Sequence, residues 1–184
     1  MSETVGEITL RALSQALSGQ TGLTLETRDA SIVIKPVDGA FSITVFDQGE
    51  EVMLAADRWH THYDDPNDAV YCTLWLLTPY YRLVHELKGG VLVAAWIERY
   101  EPDGWQGFEP VYFLNPDHPE SWLSEGGETL ARRTFQQAAI PPPVPYEQMF
   151  PNIDLDDNGH PPGTSLGVET QTVAELVAPT LAEP

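Results

Sequence analysis

Apolar residues follow a helical spacing at the start of the chain. Ile8, Ala12, Leu13, Ala16 and Leu17 make one stripe, and Gly19 stands where a C-terminal cap belongs, so a helix is expected over Val5 to Ser18. The period then shortens to that of strands. Leu23 to Thr27, Ile32 to Ile34, Phe41 to Phe46 and Val52 to Ala56 are β-rich runs parted by turn signals at Asp29, Asp38-Gly39 and Gln48-Gly49. Asp65-Pro66-Asn67-Asp68 opens a second helix, with a capping carboxylate, proline at the first helical position and an acid at the third; it is expected to run to about Leu77. Tyr81 to Leu87 and Val91 to Arg99 flank Lys88-Gly89-Gly90 as a hairpin. Phe108 to Leu114 follows as a further strand, and Glu128 to Ala139 is expected to close the domain as a helix.

Short connections imply antiparallel neighbours. The order predicts an α+β fold: one antiparallel sheet of about six to seven strands, two or three helices packed on one of its faces, and a Pro-rich acidic C-terminal tail. Neither strand–helix alternation nor a glycine-rich phosphate loop indicates a parallel nucleotide-binding sheet.

Composition sets the boundary of that domain at residues 1–140. Residues 141–184 begin Pro141-Pro142-Pro143-Val144-Pro145, hold 9 of the 16 prolines and 7 acids, and contain no Lys or Arg. Such a segment is expected to be largely disordered or strapped along the domain. Thr172-Val173-Ala174-Glu175 nevertheless resembles a capping box, and Val168, Val173, Leu176 and Val177 form a stripe within Gly167 to Ala178 that can fold against a partner surface.

Charge narrows the function. The 184 residues carry 9 Lys+Arg against 28 Asp+Glu, a net −19, with a sequence pI near 4.3. Attraction to nucleic-acid phosphates or anionic lipid is absent, whereas a basic protein would be drawn in. A single cysteine, Cys72, excludes an intrachain disulfide and any multi-cysteine metal site; with an acidic N-terminus and no long apolar run, it leads to the expectation of a cytoplasmic chain.

Reactive side chains are densest at Asp57-Arg58-Trp59-His60-Thr61-His62-Tyr63-Asp64-Asp65. In a strand that continues from Val52, Arg58, His60, His62 and Asp64 would share the face of Val52, Leu54 and Ala56. Two imidazoles at that spacing can converge on one divalent metal ion, with Asp64 adding an oxygen and His85 within reach as a third ligand. The plainer arrangement is a solvated sheet end. Asp154-Leu155-Asp156-Asp157-Asn158-Gly159 opens like a calcium loop, but its twelfth position is Ser165 rather than Glu and prolines interrupt it. No nucleophile elbow occurs, no residue is assigned a catalytic role, and Cys72 sits in an apolar helix where thiols pack.

Of five tryptophans, Trp75 and Trp96 are expected in the core. Trp105 and Trp122 fall in loop-like sequence, where rings either mark a contact surface or fold back as lids. The sequence thus points to an acidic protein-binding module, of inhibitor, immunity or adaptor type, that engages a basic partner without a cofactor. A metal-dependent enzyme built on His60, His62 and Asp64 is the competing class.

Overall fold

The computed structural model describes residues 3–113 and 130–172. Two five-stranded antiparallel sheets replace the single sheet expected. The first is a meander, β1 (Leu23–Arg28), β2 (Ser31–Pro36), β3 (Ile43–Asp47), β4 (Val52–Ala56) and β5 (Trp59–Tyr63). The second has the order β10-β9-β6-β7-β8, from β6 (Tyr81–Lys88), β7 (Val91–Glu101), β8 (Gly104–Tyr112), β9 (Leu130–Gln136) and β10 (Gly167–Thr172).

Helix α1 (Val5–Ala16) starts at a capping box in which Thr4 and Glu7 each accept the other's backbone N–H. Helix α2 (Pro66–Leu76) starts at Asp65, whose carboxylate accepts the Asn67 amide at 2.7 Å. Both pack on the first sheet, facing the alternate residues Ile32, Ile34, Ile43, Val45, Val52 and Leu54, and α2 leads the chain into β6. Leu83, Ala95, Ile97 and Phe135 of the second sheet join the same cluster, so one core spans both sheets.

Three expectations need correction. The expected helix over Glu128 to Ala139 is in its described part strand β9, which pairs with β6 through Leu83 and Phe135 and with β10 through Val168 and Phe135. Gly167 to Thr172 is strand β10 rather than the start of a helix. The strand through Val52 to Asp64 is a hairpin, turning at Asp57-Arg58 with Asp57 at φ +50°.

Residues 141–166 run along the domain. The short helix α3 (Tyr146–Met149) inserts Tyr146, fully buried, among Trp75, Tyr80 and Tyr81, and its hydroxyl donates to the Tyr100 carbonyl. Further on, the Tyr80 hydroxyl donates to the Gly159 carbonyl at 2.6 Å, and the Ser165 amide donates to Gln136 Oε1. Among the described residues no helix is long and apolar enough to cross a membrane.

Candidate functional site

The hairpin turn decides where the histidines go. A two-residue loop sets Ala56 opposite Trp59, so the buried row Val52, Leu54, Ala56 continues into Trp59, Thr61 and Tyr63. His60 and His62 therefore lie on the opposite face, beside Ala55 and Met53, and both are exposed. Their ring centroids are 5.9 Å apart. His62 Nδ1 stands 3.2 Å from Glu51 Oε1, and Asp64 is exposed beyond the strand end. Among the described residues no group of three His, Cys, Asp or Glu side chains is arranged to hold a metal ion.

His85 is instead buried on the core face of β6, packed against the Phe135 ring at 4.7 Å. Its Nε2 makes no hydrogen bond and faces Asp57 Oδ2 at 3.6 Å. Burial lowers its pKa from 6.5, Asp57 raises it in part, and Arg133 and Arg58 lower it again.

A cleft of about 300 Å³ opens where α2 meets the second sheet, and sequence reasoning did not find it. Helix α2 contributes Asp68, Tyr71 and Cys72, β5 contributes Tyr63, and β6 to β8 contribute Tyr81, Arg99, Glu101, Gln106 and Phe108. The helix places Asp68 and Tyr71 three residues apart, hence on one side, and strand alternation puts Arg99 and Glu101 on one face of β7. Arg99 is held in place: its guanidinium donates to Glu101 Oε1, is drawn toward the Tyr81 hydroxyl and lies 5.5 Å from the Phe150 ring. Burial opposes its charge, but these two partners outweigh burial and raise its pKa. The Tyr81 pKa is also pushed up, chiefly by burial. The only advance signal was the spacing of rings and acids across elements far apart in sequence.

Trp105 does not sit in a loop. It lies in β8, half-buried, with the Arg82 guanidinium 4.1 Å above its ring. Trp75 is core as expected, but Trp96 is only half-buried: its indole donates to Glu98 Oε1 at 3.0 Å and Arg132 lies over it at 5.2 Å. Trp122, Val173, Leu176 and Val177 lie outside the described residues. In the calcium-like stretch, Asp156 Oδ1 accepts the backbone amides of Asn158 and His160, which hold its carboxyl below the usual range.

One cluster of acidic side chains forms where three segments meet. The end of β3 and the β3–β4 loop carry Asp47, Glu50 and Glu51; Val52 pairs with Tyr63, which brings Glu51 beside Asp64, Asp65 and the start of α2. The Gly6 amide donates to the Gly49 carbonyl, which adds Glu3 and Glu7 from the start of α1. Arg11, paired with Glu3, is the one Lys or Arg paired with these acids among the described residues.

The fold places this chain among mixed α/β proteins with antiparallel sheets. No protein-family model, curated protein or solved structure matches it.

Proposed function

We propose that the chain is an acidic protein-binding module that engages a basic protein partner. The observation that supports this most directly is a local cluster of acidic side chains. Glu3, Glu7, Asp47, Glu50, Glu51, Asp64, Asp65 and Asp68 belong to three neighbouring segments, with Arg11 and His62 as their partners. Like charges so gathered repel one another, and a cationic surface relieves that repulsion on contact while the long-range field speeds encounter. The exposed positions of His60 and His62 give less support to a metal-dependent enzyme than to this reading.

The test is capture of partners on the immobilised full chain, followed by kinetics with the purified partner. A partner of high pI is expected, with association slowed at least several-fold by raised salt and by the triple variant Glu50→Gln, Glu51→Gln, Asp64→Asn. A partner that is neutral or acidic, or whose association ignores both changes, would defeat the proposal.

A further inference from the structure

Resting on the protein-binding reading, we infer that the cleft between α2 and the second sheet is a socket for one cationic side chain, Arg or Lys, of the basic partner. Three observations converge on it. The first is size. About 300 Å³ is at the lower limit of ligand pockets, room for one long side chain rather than for a cofactor.

The second is chemistry. The rings of Tyr63, Tyr71, Tyr81 and Phe108 line the cleft, and electron-rich rings attract a cation entering between them. A guanidinium or ammonium also brings an apolar stem, which such walls cover well.

The third is charge. Arg99 carries the same sign as an entering cation, but its guanidinium is paired with Glu101, to which it donates from Nε and Nη2. Asp68 is exposed, has no side-chain partner among the described residues and leaves the cleft net negative. Asp68 also adjoins the acidic cluster described above, close in sequence to Asp64 and Asp65. A basic surface steered to that cluster is thereby delivered to the mouth of the cleft. The rim supplies attraction at a distance, and the socket supplies one desolvated anchor, the division of labour found at interfaces whose affinity rests on few residues.

The experiment titrates the full chain with N-acetyl-arginine-N-methylamide and follows the ring signals of Tyr71 and Tyr81 by NMR. Saturable shifts are expected, absent with the neutral citrulline analogue and weakened about fivefold in Asp68→Asn, the size of a partly exposed charge pair. Equal binding of arginine and citrulline probes overturns the inference. So does tighter binding of the corresponding glutamate probe, which would mean that Arg99 reads anions. Tetramethylammonium binding better than the arginine probe would assign the cleft to a free organic cation and overturn the side-chain assignment. The outcome is separable from the wider reading. If Asp68→Asn leaves the arginine probe unaffected while the triple acidic variant still slows the basic partner, the socket falls and the module stands. If the probe binds in an Asp68-dependent way but no basic partner is captured, the module reading falls with the partner assignment.

Discussion

The ring of Tyr146 stacks on that of Tyr80 with centroids 3.9 Å apart and planes 19° from parallel. This contact joins a proline-rich segment to the segment between α2 and β6, and with Met149, Phe150, Ile153 and Leu155, which also pack on the core, it holds that segment against the domain. Replacing Tyr146 with Ala removes the stack, the edge contact with Trp75 and the hydroxyl donated to Tyr100. A loss of about 3–5 kcal/mol in denaturant unfolding is expected, as for other buried rings. Proteolytic cleavage within residues 141–166 should rise at the same time. Tyr146→Phe should cost about 1–2 kcal/mol, because the buried Tyr100 carbonyl loses its side-chain donor.

Gly22 and Ala139 meet backbone to backbone. A Cβ built on Gly22 would stand 2.3 Å from the Ala139 carbonyl oxygen, while the Gly22 carbonyl accepts the Val37 amide. Neither side is a flexible side-chain tip. Gly22→Ala is therefore expected to destabilise by about 1–3 kcal/mol, the usual cost of overpacking, measured by thermal unfolding. Gly49→Ala tests a different cause: nothing stands near its Cβ, but its φ of +86° is strained for a side chain.

Glu98 carries a buried network on the second sheet. At 7% exposure it accepts Arg82 Nε at 2.7 Å and Trp96 Nε1 at 3.0 Å, and the same Arg82 lies over Trp105. Removing the carboxylate leaves a half-buried guanidinium and an indole without their acceptor. Glu98→Ala is expected to cost about 3 kcal/mol. The double variant Glu98→Ala, Arg82→Ala should cost less than the sum of the two single changes, and a double-mutant cycle measures that coupling.

His85 links stability to pH. Its folded pKa lies below the ordinary 6.5, first because it is buried. The unfolded chain then binds more protons at this site as pH falls, so its contribution is complete above 6.5 and lost as pH drops below it. Chemical denaturation from pH 7.5 to 5 should show stability falling toward acid, and His85→Phe should flatten that slope. Asp57→Asn should steepen it, because Asp57 is the group that holds the His85 pKa up. An unchanged slope in His85→Phe would remove His85 as its source.

Much of the fold was legible because its signals are local. The hairpin at Lys88-Gly89-Gly90, the cap at Asp65-Pro66 and the meander turns at Asp38-Gly39 and Gln48-Gly49 each depend on residues that favour one backbone conformation whatever lies nearby. The turn at Asp57-Arg58 carries no glycine, so the local sequence is indistinguishable from extended chain, and alternation carried through it puts every later residue on the wrong face. Leu130-Ala131-Arg132-Arg133 has helix-forming composition, yet the ladder with β6 and the contact of Phe135 with His85 hold it as a strand.

Alone, the order of residues determined the α+β class, the antiparallel hairpins and the acidic balance, since all follow from propensity, turn chemistry and counting. Only the tertiary structure decided that there are two sheets, that the histidine pair faces outward and that Tyr71, Tyr81, Arg99 and Asp68 share one cleft. Those features depend on which distant segments bury one another, and the free energy of that burial is a property of the packed chain rather than of any short stretch of it.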